Sequence, residues 1–334
     1  MTVISFAAAI RNALAVEMDA NPALFIIGED IGRYGGELGA TAGLYKRFGE
    51  DRVRDAPISE SAIVGAALGA AITGNPAVAE IPFGDFLGMC MDQICNQVAK
   101  IRYMSGGQVR VPVVIRTTIG GYMSAGAQHS QSLESWFVHL PGIKVVMPSN
   151  PSDAFGLLRS SIQDKNPVLF LEHKGLYSVK GDVPDNTDFL VPLGCANVVR
   201  EGKDVTILAT GAQVSRAVQA AEQLIDEGIE AEIIDPRSLD PLDLGTIIAS
   251  IKKTGHLVIV HEAWERGGFG SEIAALVSDK AFGSLHGPIK RVAAKNVPSP
   301  FCPRLEQSTL PQIVDIFKAA LETRSFKFER KENS

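Results

Sequence analysis

The chain has 334 residues, 46% of them hydrophobic and 21% charged, enough for two domains with full cores. Its formal charge of -6, from 32 basic against 38 acidic side chains, leaves no basic surplus for nucleic acid. No apolar run approaches the ~20 residues of a membrane span, and Met1–Phe6 carries neither a basic signal region nor an Arg-rich import leader, so a reduced, cytoplasmic protein is expected.

Short apolar runs bounded by turn residues predict strands at Leu24–Ile27, Val78–Ile81, Val111–Ile115, Lys144–Met147 and Val168–Leu171. Helical patterns fall between them, at Ser61–Ala71, Phe86–Tyr103 and Ser152–Gln163. From Gly175 to Lys203 the periodicity lapses into Gly, Pro, Asp and Asn, and this stretch reads as a connection between domains. The alternation then restarts, with strands at Val205–Ala209, Ala231–Ile234, Leu257–Val260 and near Arg291. Helices are expected at Val214–Glu227, Leu242–Lys252, Ser271–Phe282 and Leu310–Leu321, before a charged tail at Lys327–Ser334. Strands alternating with helices predict α/β architecture: two doubly wound domains with mostly parallel sheets.

Several segments carry chemistry. Asp55–Glu60 places Pro57 and a candidate N-cap, Ser59, ahead of a helix made almost wholly of Ala and Gly. So many small residues make sense where another backbone or a flat ligand comes close. Glu60 falls in the first helical turn, where the dipole favours a carboxylate. A surface carboxylate is the common fate of such a residue; a thin helix behind it argues for burial and a working role. Gly120–Ser132 forms a Gly-rich loop after a strand, and it carries His129. In parallel sheets ligands gather at the carboxyl ends of strands, so His129 is a candidate for proton transfer. A structural hydrogen bond explains it equally well. Phe83–Phe86 follows another strand end, and its rings are either core or a stacking wall.

Other signals are weaker. Gly268-Phe269-Gly270 is a partial dinucleotide fingerprint with Ile273 at the third glycine position, so it reads as a tight turn. Gly84-Asp85 begins a metal-diphosphate pattern that Phe86 then breaks. Cys90, Cys95, Cys195 and Cys302 have no metal-ligand spacing. The chain offers no segment able to hold a phosphorylated cofactor by itself.

Together the segments resemble the β subunit of the thiamine-diphosphate-dependent first component of the 2-oxo acid dehydrogenase complexes. The resemblance runs through Gly28–Gly32 with Gly35-Gly36, Pro57–Glu60, Phe86 with Asp92-Gln93, Arg102–Gly107, Ala127–Ser132 and Pro141–Val146. It continues in Asp235–Leu239, Pro241–Asp243 and Pro298–Phe301. It implies a transketolase-like pyrimidine domain at 1–180, a linker at 181–203, a transketolase C-terminal-like domain at 204–325 and a charged tail at 326–334. It further implies an α2β2 heterotetramer whose α subunit holds magnesium and the diphosphate, with a lipoyl acyltransferase as the next partner. Glu60 would then bond the pyrimidine and drive its proton exchange. Ile58 and Phe86 would contact the ring, and His129 would serve the substrate or the transfer to lipoyl. The family also implies a potassium ion among the carbonyls of Val113, Ser161 and Ile162 with Asp164 and Asn166, all hard oxygen donors.

The substrate stays open between pyruvate, branched-chain 2-oxo acids and acetoin. Gly36–Thr41 and Glu172–Lys174 lean towards the acetoin or pyruvate type, and His261–Ala263 with Gly267–Gly270 towards the branched-chain type. A half of a split transketolase is a more distant alternative. It would need a cluster of cations near the cofactor, where the sequence offers Arg116 alone. A non-catalytic scaffold with this fold would have no use for Glu60.

Overall fold

A computed structural model describes residues 1–326, so the charged tail at 327–334 lies outside the described residues. The first half contributes strands β1 (Thr2–Ser5), β2 (Phe25–Gly28), β3 (Val53–Asp55), β4 (Ala77–Phe83), β5 (Val113–Ile119), β6 (Lys144–Val146), β7 (Val168–His173) and β8 (Lys180–Val183). The second contributes β9 (Asn197–Arg200), β10 (Val205–Ala209), β11 (Ala231–Asp235), β12 (Ser238–Asp240), β13 (Leu257–Trp264) and β14 (Lys290–Ala294).

A seven-stranded sheet runs in the order β12-β6-β7-β5-β4-β2-β3, parallel except for β12. A five-stranded sheet runs β14-β13-β10-β11-β9, parallel except for β9. The interior strands β5, β10 and β11 are Val- and Ile-rich and buried along their whole length, as parallel strands covered on both faces must be. Helices Phe6–Ala20 and Pro151–Gln163 cover one face of the first sheet, and Gln213–Leu224 with Ile313–Ser325 cover the outer face of the second. The remaining faces share one core. Ile63, Ala67, Ile115 and Leu171 belong to the same buried cluster as Leu208, Ile234, Ile259 and Ile273. Among the described residues no helix is long and apolar enough to cross a membrane.

Three expectations need correction. The stretch Phe86–Tyr103 is not one helix: it divides into a 3₁₀ segment (Gly84–Cys90), a π-helical segment (Gln93–Val98) and a short α-helix (Ile101–Met104). Gly84 and Gly88 weaken α-geometry there, and wide helical turns of this kind gather at functional sites. Ser59 occupies the N-cap position of helix Glu60–Ile72, but its side chain makes no capping bond; its carbonyl accepts the first helical bond, from Ile63 N at 3.0 Å. The connecting stretch is also less irregular than its composition predicts, since β8 pairs with β1 and β9 joins the second sheet. These short strands sit at edges and carry charged residues, so no apolar run announces them.

Candidate active site

The strands β2, β3, β4, β5 and β7 lie parallel, and their carboxyl ends converge on one rim of the sheet. Glu60 stands beyond β3 as the first residue of helix Glu60–Ile72, and it is 8% exposed. Among the described residues nothing hydrogen-bonds its carboxylate. Glu29, just past β2, is its neighbour in charge: burial and then the Glu60 carboxylate push the Glu29 carboxyl above its ordinary range. One Glu29 oxygen is buried without a partner. Asp55 ties these two loops together by accepting from Gly32 N at 2.6 Å. The same helix turns its small residues outward, with Ala62, Ala66 and Gly69 exposed. A Cβ on Gly69 would meet nothing within 4 Å, so no part of this chain needs that thin face.

The ends of β4 and β5 bring three rings together. Phe83 and Phe86 stand edge-to-face at 5.9 Å, and the His129 ring is edge-on to both, 4.9 Å from Phe83 and 5.5 Å from Phe86. Asp85, between the two phenylalanines, accepts from Gln131 Nε2 at 2.8 Å and Gln131 N at 3.3 Å. That carboxylate is therefore a fastener for the His129 loop and not the start of a diphosphate site. Lys174, at the end of β7, donates to the His129 carbonyl. The ring nitrogens of His129 have no hydrogen-bond partner among the described residues. Aromatic rings and an unpaired carboxylate on one rim suit a flat nitrogen heterocycle, and an imidazole whose nitrogens have no partner among the described residues suits proton transfer to a small substrate.

Arg116 is not available for ligands. Its guanidinium is buried in the sheet, donating to Glu172 at 2.7 and 2.9 Å and to Glu80 at 2.5 Å. Ile58, by contrast, is 84% exposed on the turn before Glu60. The residues expected around potassium cluster at the other end of the sheet, by the amino ends of β5 and β7. There Asp164 accepts from the Lys144 ammonium, from Asn166 N at 2.8 Å and from Asn166 Nδ2 at 2.9 Å. Burial alone would raise the Asp164 carboxyl, but these donors outweigh it and hold it below its ordinary range. The Ser161 carbonyl, the atom expected to face the ion, accepts from Asp164 N at 3.3 Å. Lys144 thus pairs with the one carboxylate of the expected set.

The sequence reading gave no role to Glu262, Lys174, Tyr122 and Gln213, which surround the His129 loop. Tyr122 donates to the Pro311 carbonyl at 2.7 Å, and Gln213 donates to Tyr122 at 2.9 Å and to Glu262 at 3.1 Å. The available signal is the pair His261-Glu262, two titratable residues that follow the apolar run Leu257–Val260 without a turn residue between.

Comparison with known proteins shows the family. Residues 2–180 match the pyrimidine binding domain of transketolase, and residues 194–316 match the transketolase C-terminal domain. The β subunit of acetoin:2,6-dichlorophenolindophenol oxidoreductase of Bacillus subtilis is 48% identical over 332 residues, 96% of this chain and 97% of that one. The 2-oxoisovalerate dehydrogenase subunit beta of the same organism is 44% identical, covering 92% and 94%. The pyruvate dehydrogenase E1 component subunit beta of Rhizobium meliloti is 43% identical, covering 96% of this chain and 69% of that one. A solved split-gene transketolase, an inactive β4 tetramer, superposes with a TM-score of 0.80 at 25% identity, over 97% of this chain and all of that one. The chain belongs to the family of transketolase-like dehydrogenase β subunits, which join a pyrimidine binding domain to a transketolase C-terminal domain.

Proposed function

We propose that this chain is the pyrimidine-side β subunit of a thiamine-diphosphate-dependent dehydrogenase. It acts on a 2-oxo acid of the pyruvate type and passes the acyl group to lipoyl arms of an acyltransferase component. Glu60 carries the reading. Its side chain is largely covered at 8% exposure, it stands at a helix start on the rim of the sheet, and none of the described residues hydrogen-bonds its carboxylate, which leaves that carboxylate free to meet a ligand. Thiamine diphosphate, when bound, supplies the carbon nucleophile and the electron sink. Glu60 then bonds the pyrimidine nitrogen and holds or releases its proton, Phe86 covers the ring face, and Ile58 lies at its border. His129 presents its free nitrogens to the substrate side.

An α subunit completes the site in an α2β2 assembly, contributing the diphosphate and magnesium contacts that this chain lacks. The exposed side chains Ile58, Met89 (66%), Tyr103 (87%) and Phe301 (75%), together with the outward Ala/Gly face, supply apolar surface for such a partner. The four free cysteines suit a reducing, cytoplasmic setting. One observation favours acetoin as the substrate instead: the relatives at 48% and 47% identity are named for acetoin oxidation. The transketolase alternative loses support, because Arg116 is spent on Glu172 and Glu80.

Mixing the purified chain with a cognate α subunit, thiamine diphosphate and magnesium tests the reading. With pyruvate, branched-chain 2-oxo acids and acetoin offered separately, turnover of a pyruvate-type acid or of acetoin by the mixture, and of none of them by the chain alone, is expected. Comparable turnover by the chain alone would refute it.

A further inference from the structure

The loop bearing His129 begins with a carboxylate from the other domain. Glu262, at the end of β13 and 8% exposed, accepts from Gly121 N at 2.5 Å, from His173 Nε2 at 2.8 Å and from Gln213 Nε2 at 3.1 Å. The His173 tautomer follows from its other nitrogen. Nδ1 accepts from Gly175 N at 3.0 Å, so the proton sits on Nε2 and points at Glu262. Gly120 has φ +91°, and a Cβ there would collide with the His173 ring and lie 2.9 Å from Glu262 Oε1. Glycine at this turn is what lets the carboxylate and imidazole reach the loop.

The next residue, Lys174, holds the far end of the loop through the His129 carbonyl. Tyr122 and Ser124 adopt φ values of +65° and +54°, unusual for residues with side chains, so the loop needs outside support to keep its shape. Ser124 N finds part of that support in Glu306 Oε2 at 3.0 Å, again from the second domain.

We propose that Glu262, with His173 as its fixed donor, and Lys174 are positioning residues for His129. They pin the start of its loop and its own carbonyl, and so keep the ring edge-on to Phe83 and Phe86. The second domain is then part of the active-site machinery. This inference rests on the role of His129 given under the proposed function.

Glu262→Gln tests it, because the amide nitrogen would face a donor where the carboxylate accepted. Hydrogen exchange of the full chain, read by mass spectrometry, should quicken about tenfold or more across residues 120–131 and stay unchanged elsewhere, as expected for loss of a charge-assisted bond. In the enzyme reconstituted with its α subunit, kcat should fall about tenfold while proton exchange at the cofactor carbon stays within about twofold of wild type. Lys174→Met, acting at the other end of the loop, should give the same pair of results, and it carries the test if Glu262→Gln does not fold. Loop exchange unchanged in the folded variant, or raised evenly through both domains with normal turnover per folded molecule, overturns the proposal. A wild-type mixture inert towards 2-oxo acids and acetoin would instead refute the proposed function, leaving the exchange result to decide the loop's anchoring.

Discussion

The ring of His129 stands edge-on to that of Phe86, with centroids 5.5 Å apart and planes at 86°. Phe83 stands against the same imidazole from 4.9 Å, so the ring is held by packing while its nitrogens have no hydrogen-bond partner among the described residues. A histidine kept for structure uses its nitrogens; this one is held by ring packing. Removing it should therefore disturb chemistry more than folding.

In the reconstituted enzyme, His129→Ala should leave proton exchange at the cofactor carbon intact and depress substrate turnover or lipoyl acylation by about 10²–10⁴-fold. Exchange and single-turnover acylation measured on one preparation check this. Equal loss of both in a well-folded variant would move His129 away from the substrate side.

Glu60→Gln keeps the volume and the helix start but cannot give up or take a proton. Cofactor activation should fall by about 10²–10⁴-fold, with thermal stability and assembly close to wild type. Unchanged turnover in the assembled variant would reduce Glu60 to a carboxylate that merely complements the helix dipole.

Arg116→Met leaves Glu172 and Glu80 without their guanidinium in a buried site, since Arg116 and Glu172 are 2% and 1% exposed at their side chains. A buried pair broken on one side costs about 3–5 kcal/mol, and urea unfolding near pH 7 should show a loss of that size. A loss below about 1 kcal/mol would mean that Glu172 and Glu80 find water or a proton at little cost.

His261 gives a pH signature. It is fully buried, and burial, followed by the charge of Arg291, outweighs the Ala263 backbone and lowers its pKa to about 4. Because the folded value lies below the ordinary 6.5, the unfolded chain takes up the proton first as pH falls. The associated stability is present above 6.5 and is lost down to about 4, a change on the order of 3 kcal/mol. Urea midpoints at pH 7 and pH 5 should converge in His261→Leu relative to wild type. Parallel behaviour of the two proteins would assign the acid sensitivity elsewhere.

Legibility followed hydrophobic contrast. Val113–Ile119 and Val205–Ala209 are buried throughout and stand out as apolar runs, whereas Val53–Asp55 and Ser238–Asp240 have three residues each and polar members. The rim residues Glu60, Phe86 and His129 were readable because each follows a strand end or opens a helix. The contacts of Glu262 and Lys174 were not, since one depends on how the second sheet meets the first and the other on how the 120–131 loop folds back over the end of β7. The Lys144 contact to Asp164 is equally hidden, because nothing in Asp164–Pro167 tells that a lysine reaches it from β6.

The edge strand β12 limits how this protein can be recombined. Ser238 lies opposite Val146, so the sheet built from residues before 180 is closed by three residues from the far half of the chain. A cut between the two matched segments would strip that cover and leave β6 an open edge, ready to pair with another molecule. Chimeras that exchange the C-terminal segment among relatives should therefore keep Ser238–Asp240 with the sheet they seal. The boundary that respects the fold is not a single point in the gene.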